Sequence, residues 1–413
     1  MGGVASLVAV ASLTSCNHDL SDHFGVSDNP SATVTSLTLD EATLRLATTA
    51  QTLTATVTPS DATITWSSDK ESVATVDATG KVTPVAPGEA TITAKAGDKT
   101  ATSTVYVYDK IVDISTGDLD VIANESWLIN GDGTEKTNRI SIADGATVTL
   151  NNVNIKAPAP IICNGTATII LADGSVNIVT SSSSGEAGIR VGNAPKAFTI
   201  DAETAGTGEL TVTGGGTFNG GAGIGTRTAS GANCGAITIK GGIITATGGG
   251  DAAGIGTADA FSGEQQCDVI SILGGTVTAI GGENAAGIGT GYAESHDQQC
   301  LGILIHGGTV IATGGDYGAG IGTGRAFTGH TQNCVTITIG SGVTSVTANR
   351  GSNATNPIGK DAGGGTQTCG TIKFGTTTVF TGTTWNPDPM DDGNYDGLNL
   401  AILAGTWTLT PAP

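Results

Sequence analysis

A segment of about 33 residues recurs through the C-terminal half of the chain, and this repeat restricts the folds that the sequence can adopt. The isoleucine of a Gly-Ile-Gly motif recurs in steps of 31, 33 and 33 residues, at Ile224, Ile255, Ile288 and Ile321. Cysteines recur in steps of 33, 33, 34 and 35 residues, at Cys234, Cys267, Cys300, Cys334 and Cys369. Each repeat contains three short apolar stretches, such as "AGIGT", "CDVISILGG" and "TVTAIGG", with glycine between them. Three strands per repeat with glycine at the corners predict a right-handed parallel β-helix with coils of about 33 residues.

Stacked coils place equivalent residues about 4.8 Å apart, so the cysteines are expected to form an interior column. The amides beside them form a second column, in which side-chain hydrogen bonds can run along the stack: Asn233, Gln266, Gln299 and Asn333. Cβ atoms at this spacing are farther apart than the roughly 3.8 Å typical of a disulfide, so we expect buried thiols, with disulfides as the alternative. A metal site is disfavoured, because no histidine or second cysteine lies at ligand spacing.

Composition agrees with an all-β protein. The chain has 64 glycines, only 13% charged residues and a formal net charge of -20. Short apolar runs punctuated by Gly, Asn, Asp and Ser are typical of strands and turns. A surface this acidic repels phosphate backbones and anionic lipid, which argues against nucleic acid as a partner and suits an extracellular protein or one that binds cations.

The N-terminus resembles a bacterial lipoprotein signal. Residues 1–16, "MGGVASLVAVASLTSC", form an apolar stretch that ends in a lipobox at Cys16, the expected lipidation site, although the usual basic start is missing. The alternative is an ordinary secretory segment with a chance cysteine. Residues 17–33 are acidic and rich in turn-forming residues and are predicted to be a linker. The resemblance implies a protein anchored by lipid in the outer membrane and exposed at the cell surface.

Residues 34–109 show the strand and turn spacing of a small β-sandwich. The pieces "LTATVTPSDAT", "ITWSSDKESVATVDATGKVT", "PGEATITA" and "TSTVYV" closely resemble the bacterial immunoglobulin-like domain, group 2. Trp66 stands where that family buries its core tryptophan. The resemblance implies a stalk or an adhesin module.

Residues 110–369 are predicted to form the β-helix. The pieces "AGIGTG", "GGIITATGG" and "ADGATVTLNNVNI" resemble bacterial surface β-helix proteins described as adhesin-like or carbohydrate-binding. Residues 370–413 lose the repeat and are predicted to cap the β-helix, because its open end would otherwise pair with other strands. The acidic stretch 388–396 has oxygen ligands suited to Ca²⁺ but no complete calcium-loop motif.

The loop between the Gly-Ile-Gly strand and the cysteine strand varies most among the repeats, and function is often located in such loops. Phe261, Tyr292 and Phe327 fall on successive coils. Polar side chains surround them: Glu264, Glu294, His296, Asp297, Arg325 and His330. Aromatic faces beside hydrogen-bonding groups suit a sugar ring. The alternative is that these aromatics only pack the loops onto the coils.

A second candidate is a column of acidic residues just before each Gly-Ile-Gly strand, formed by Asp251, Glu283 and Asp316. Stacked carboxylates are expected to repel one another unless a cation lies between them. They suit Ca²⁺ ligands, the acid and base of a glycoside hydrolase, or solvated turn residues, which such positions usually hold.

The sequence favours a non-catalytic surface protein that uses the immunoglobulin-like domain as a stalk and the β-helix for adhesion or glycan binding. We expect a monomer without an obligatory cofactor, whose partner is a polysaccharide or a host or bacterial surface glycan or glycoprotein. The alternative is a polysaccharide-degrading β-helix enzyme, a lyase or a hydrolase. It is disfavoured because the nine Lys and Arg residues after residue 140 form no evident cluster at coil spacing.

Overall fold

The computed structural model describes residues 33–204, 206–229, 231–360, 364–381, 384–385, 393–395, 398–403 and 406–412. The lipobox cysteine, Cys16, and most of the linker lie outside these residues. In these ranges the regular structure is all strand apart from one 3-10 turn, Ile114–Thr116. No helix within them is long and apolar enough to cross a membrane. The chain divides into two compact units, of which the first contains Ala50–Thr83 and Ala90–Val105 and the second Tyr106–Pro413.

The N-terminal unit is built from three small sheets. Its strands are Ser36–Leu39, Thr43–Leu46, Gln51–Thr52, Ala55–Thr58, Thr65–Ser68, Ala74–Val76, Lys81–Pro84, Gly88–Ala96 and Lys99–Val107. The strand pairs whose register is resolved are antiparallel, such as Ser36–Leu39 with Ala55–Thr58. Trp66, at the position where the resembled family buries its core tryptophan, is only partly buried and packs against a cluster that contains Ala94 and Ala96.

The C-terminal unit contains three long sheets through which the chain passes in rotation, and we call one such passage a coil. The Gly-Ile-Gly sheet contains Leu119–Val121, Ile140–Ile142, Ile161–Cys163, Ile189–Arg190, Ile224–Gly225, Ile255–Gly256, Ile288–Gly289, Ile321–Gly322 and Ile358–Gly359. The cysteine sheet contains Lys110–Asp113, Ser126–Asn130, Ala146–Asn151, Ala167–Leu171, Ala197–Ala202, Asn233–Cys234, Ala236–Ile239, Gln265–Ile272, Gln298–Ile305, Thr331–Ile339, Thr366–Phe374, Thr377–Thr381 and Thr384–Trp385.

The third sheet presents many threonines to solvent, and we call it the threonine sheet. It contains Asn154–Ala157, Val176–Ser181, Glu209–Thr213, Ile243–Thr247, Thr276–Ile280, Gly308–Thr313, Val343–Asn349, Thr406–Pro411, Leu398–Leu403 and Gly393–Tyr395. Its last three strands, and Thr377–Thr381 and Thr384–Trp385 of the cysteine sheet, pair antiparallel. The parallel order therefore ends after Thr366–Phe374.

Every strand of the repeats pairs in parallel with the strand one coil later. In the cysteine sheet Cys234 pairs with Cys267, Cys267 with Cys300, Cys300 with Cys334, and Cys334 with Cys369. In the Gly-Ile-Gly sheet the isoleucines pair in the same way. The sequence steps therefore predicted the register correctly, and the cysteines occupy adjoining coils.

In the regular repeats glycine follows the isoleucine of the motif because successive coils approach too closely there for a side chain. The second glycine of the motif has a positive φ, 137° at Gly256 and 135° at Gly289. A methyl group at Gly256 would overlap the carbonyl oxygen of Gly289, and one at Gly289 would overlap that of Gly322. Both the backbone conformation and the contact between coils therefore require glycine.

All six described cysteines are buried thiols, in agreement with the sequence prediction. The Sγ atoms of Cys234 and Cys267 lie 2.7 Å apart, longer than the roughly 2.05 Å of a disulfide bond. The hydrogen bond with Cys234, together with burial, raises the pKa of Cys267. Cys163 lies outside the column, on the Gly-Ile-Gly sheet, and burial raises its pKa to about 12. The thiol column therefore acts as a small apolar column in the core.

We expect the native protein to leave these six thiols unmodified by maleimide at pH 8, because the reactive thiolate is both shielded and disfavoured. In denaturant without a reductant all six should react, which mass spectrometry of peptides measures. Modification of the folded column would contradict its burial. Failure to react after denaturation would reveal disulfides instead.

Candidate functional site

In four coils the loop from the Gly-Ile-Gly sheet to the cysteine sheet starts at a buried threonine, namely Thr226, Thr257, Thr290 or Thr323. Thr257 Oγ1 accepts the backbone N–H of Gly291 in the next coil at 2.9 Å. Thr290 Oγ1 accepts that of Gly324 at 3.0 Å. The threonine of "GIGT" thus fixes the beginning of the next loop, which explains why the motif extends past its glycines.

A buried glutamine two residues before the cysteine completes this network. Gln332 Oε1 accepts the hydroxyl of Thr290 at 2.7 Å, and its Nε2 donates to the carbonyl oxygens of Arg325 and Gly291, both at 2.7 Å. Gln265 and Gln298 make equivalent bonds in the preceding coils. Buried polar groups need such partners, so these glutamines hold the loops in place. The sequence analysis missed them, although alternation places a residue two before an inward cysteine inside as well.

The amides next to the cysteines face outward and form a column along the flank of the stack. Gln266 pairs with Asn233 on one side and Gln299 on the other, and Gln299 pairs with Asn333. All four are half-buried and line a groove of about 370 Å³. Among the described residues no hydrogen bond joins one of these four amides to another, in contrast to the ladder that the sequence suggested. Asn333 Oδ1 instead accepts the hydroxyl of Thr368 at 2.9 Å, and all four side chains line the groove.

The three aromatic residues predicted for the site do not form one column. Ala293 pairs with Ala326, which places Glu294 beside Phe327, and Phe261 is the equivalent residue of the preceding coil. Phe261 is 47% exposed and Phe327 51% exposed. Tyr292 lies two positions earlier in its loop and is only 9% exposed. The packing alternative therefore describes Tyr292, whereas the two phenylalanines are presented to solvent.

The other predicted residues divide between the groove and the interior of the loops. Glu264 and Asp297 line the amide groove. His330 Nδ1 lies 3.8 Å from an Asp297 carboxylate oxygen. His296 Nδ1 lies 3.3 Å from the carbonyl oxygen of Ala260 in the preceding coil.

Arg325 is directed away from the phenylalanines. Its guanidinium stacks on the ring of Tyr317, 4.4 Å from the centroid, and Nη1 donates to Asn284 Oδ1 at 3.3 Å. The structure therefore places Arg325 and Tyr292 away from the surface that Phe261 and Phe327 expose, where the sequence predicted them.

The predicted acidic column is only partly in register. Glu283 and Asp316 occupy equivalent turn positions, and the equivalent residue of the preceding coil is Gly250. Asp251 lies one residue later in its turn and is equivalent to Asn284, whose Nδ2 donates to an Asp251 carboxylate oxygen at 2.6 Å. Glu283 and Asp316 are exposed, so the three carboxylates do not form one stacked column. In the part of the chain that the structure describes, no group of three or more His, Cys, Asp or Glu could hold a metal ion. The acidic stretch 388–396 falls outside the residues whose side chains are described.

Asp259 is a buried carboxyl that the sequence analysis did not identify. It is fully buried, and neither carboxyl oxygen has a hydrogen-bond partner among the described residues. Burial, with smaller contributions from the negative charges of Asp251 and Glu294, raises its pKa to about 8. The small neighbours Ala258 and Ala260 allow the loop to pack closely over it, so the carboxyl is neutral at neutral pH.

Three cationic side chains come together at one end of the loop flank, although the sequence shows no cluster of cations at coil spacing. Arg190, Lys196 and Arg227 line one cleft of about 520 Å³. Arg190 is in register with Gly225, a step of 35 residues, and Arg227 lies two residues farther along its coil. The two arginines are therefore 37 residues apart and do not follow the 33-residue spacing.

The N-terminal unit is similar to a known family. Residues 33–107 match the bacterial Ig-like domain, group 2, which confirms the sequence-based resemblance for this part of the chain. A search of curated proteins returns no match.

The adjacent glutamines allow a matched test of the loop network. Gln298→Ala should lower the free energy of unfolding by about 2–3 kcal/mol, because carbonyl and hydroxyl groups lose buried partners. Gln299→Ala should change it by less than about 0.5 kcal/mol, since that amide faces the groove. Urea denaturation measures both values, and equal effects would refute the inside and outside assignment.

Asp259→Asn should stabilise the protein at high pH. The pKa of Asp259 is higher in the folded state than in the unfolded state, so its contribution to stability is present below about pH 4 and is lost as the pH rises through about 8. We expect calorimetry to show a Tm increase of about 5 °C at pH 8.5 and none at pH 4. The control Asp268→Asn, on the cysteine sheet, should show no such pH dependence. An equal shift at both pH values would contradict the burial of a protonated carboxyl.

Proposed function

We propose that the C-terminal unit is a right-handed parallel β-helix that binds glycans through its loop flank without catalysing a reaction. Its immunoglobulin-like domain serves as a stalk, and Cys16 carries the lipid that anchors the protein at the outer surface of the cell. The observation that carries the proposal is the outward column of four amides in the groove.

The amide column has the chemistry that sugar hydroxyls require. Each Asn or Gln side chain offers both a donor and an acceptor, and adjoining coils repeat this pair about every 4.8 Å. The side chains are half-buried and fixed on strands, so little conformational entropy is lost when they bind. Several weak contacts along one polymer chain then give a higher overall affinity than any single contact.

The exposed phenylalanines support the same ligand class. Phe261 and Phe327 occupy equivalent loop positions two coils apart, and both rings are accessible. An aromatic face can pack on the C–H face of a sugar while amides bind its hydroxyls. A peptide partner would also use aromatic anchors, but a groove lined by four amides and two carboxylates offers few apolar pockets for its side chains.

A catalytic function rests on one pair of residues. Glu264 and Asp297 are equivalent residues of adjoining coils at the edge of the groove, and a glycosidase requires two carboxyl groups near the scissile bond. Both side chains are exposed, however, and Asp297 Oδ1 already accepts the backbone N–H of Thr331 at 2.7 Å. A general acid usually requires a shielded carboxyl, so this arrangement favours binding.

A glycan array with the full-length protein, followed by calorimetry on each ligand found, tests the proposal. Gln266→Ala with Gln299→Ala should weaken binding at least tenfold without changing Tm. The matched control is Thr245→Ala with Thr278→Ala, two outward residues that pair on the threonine sheet. Its affinity should equal that of the original protein.

Three results would contradict the proposal. Full affinity in the double glutamine variant, or no ligand on the array, would reject the amide groove as a glycan site. New reducing ends after incubation with a bound polysaccharide would show catalysis, and loss of that activity in Glu264→Gln or Asp297→Asn would assign it to the carboxylate pair.

A further inference from the structure

The cationic cleft is continuous with the amide groove. Gly231 and Asn233 line both, so the cleft extends the groove toward the N-terminal coils. Its volume of about 520 Å³ lies within the range of small-ligand sites. The cleft is formed by three successive coils, through the segments 163–164 and 190–196 and residues of 226–229 and 231–233.

The cleft differs in charge from the rest of the protein. The chain has 37 acidic and 17 basic residues, yet three cations and not one described Asp or Glu line this cleft. Arg190 Nη1 donates to the Glu186 carboxylate at 3.3 Å, and Arg227 Nη1 donates to it at 3.2 Å. Glu186 itself does not line the cleft. Two guanidinium groups that share one carboxylate leave one positive charge in excess.

Each guanidinium retains donors for a ligand. Arginine has five N–H donors in a planar fork that suits two oxygens of one anionic group. For Arg190 and Arg227 only the bonds from Nη1 to Glu186 occur among the described side-chain contacts. Lys196 contributes a third charge and pairs with Asp144 at 2.9 Å through an exposed, easily exchanged contact.

The remaining wall suits a sugar ring. Asn164, Asn193 and Asn233 offer amides, and Val191 and Pro195 offer apolar surface. A small inorganic anion would use only the cations, whereas an anionic sugar would use all three kinds of group.

We propose that this cleft binds a sugar that carries one negative charge, a carboxylate or a sulfate ester, and that the loop flank therefore selects anionic glycans. The inference rests on the proposed glycan-binding function and adds the ligand class. Arg190 and Arg227 hold the anionic group, Lys196 adds long-range attraction, and the amide column binds the neutral part of the chain.

Calorimetry with matched probes tests this selection. An oligogalacturonate should bind the full-length protein at least tenfold more tightly than its methyl ester, which has the same shape without the charge. Dextran sulfate against dextran is the second arm and distinguishes sulfate from carboxylate. Arg190→Gln with Arg227→Gln should abolish the preference for the charged probe. Lys196→Gln removes only an exposed ion pair and should leave folding intact. It should reduce the preference for the charged probe severalfold, which keeps the inference testable if the double variant does not fold.

The charge control is Arg139→Gln with Lys156→Gln, which removes two positive charges outside the cleft. Equal binding of charged and methylated probes, or an equal loss in the control variant, would overturn the inference. Failure of this inference can be distinguished from failure of the proposed function. If neutral glycans bind through Gln266 and Gln299 without any anionic preference, only the cleft assignment is wrong. If charged probes bind through Arg190 and Arg227 but Gln266→Ala with Gln299→Ala has no effect, the amide groove is wrong.

Discussion

Parallel pairing between each strand and its equivalent one coil later is the interaction on which the structure depends. It satisfies the backbone along three sheets, and it places every residue next to its counterpart in the next coil. Inside, this requires residues of matching size, and the columns of isoleucine and cysteine meet that condition. At the corner, the same pairing brings carbonyl oxygens so near that only glycine fits, as at Gly289. One constraint therefore explains the strands, the corners and the thiol column.

The same constraint separates supporting residues from candidate ligand contacts on the loop flank. Gln298 and Gln299 are adjacent in sequence, but one holds two loops from inside and the other faces the groove. Equivalent strand positions of successive coils hold the same type of residue, whereas equivalent loop positions differ, as at Asp259, Tyr292 and Arg325. These differences keep like charges from stacking and give each loop a different surface. The candidate ligand surface therefore has a regular column of amides, bordered by loops whose side chains differ from coil to coil.

The sequence predicted the features that obey the regular period and missed those that depart from it. The steps between cysteines predicted the correct register, and the strand and turn pieces predicted the immunoglobulin-like domain. The aromatic column failed because Phe261 and Phe327 lie four residues after their threonines and Tyr292 only two. Their steps of 31 and 35 residues depart from the 33-residue period, so strict use of the period would have excluded Tyr292. The cationic cleft was missed because Arg190 and Arg227 are not equivalent residues: Arg190 is in register with Gly225, in a coil of 35 residues. The burial of Asp259 depends on how closely a loop of small residues packs, which no local pattern records.

Removal of one complete coil tests most directly whether in-register stacking determines this fold. Deletion of residues 268–300 takes out 33 residues and joins Cys267 to the residue after Cys300, so every remaining column stays aligned. The account predicts a shortened protein that unfolds cooperatively, keeps its strand signal in circular dichroism and protects its remaining thiols. Deletion of residues 268–283, about half a coil, should abolish cooperative unfolding. If both deletions fold equally well, or both fail equally, register between coils is not what holds the structure together.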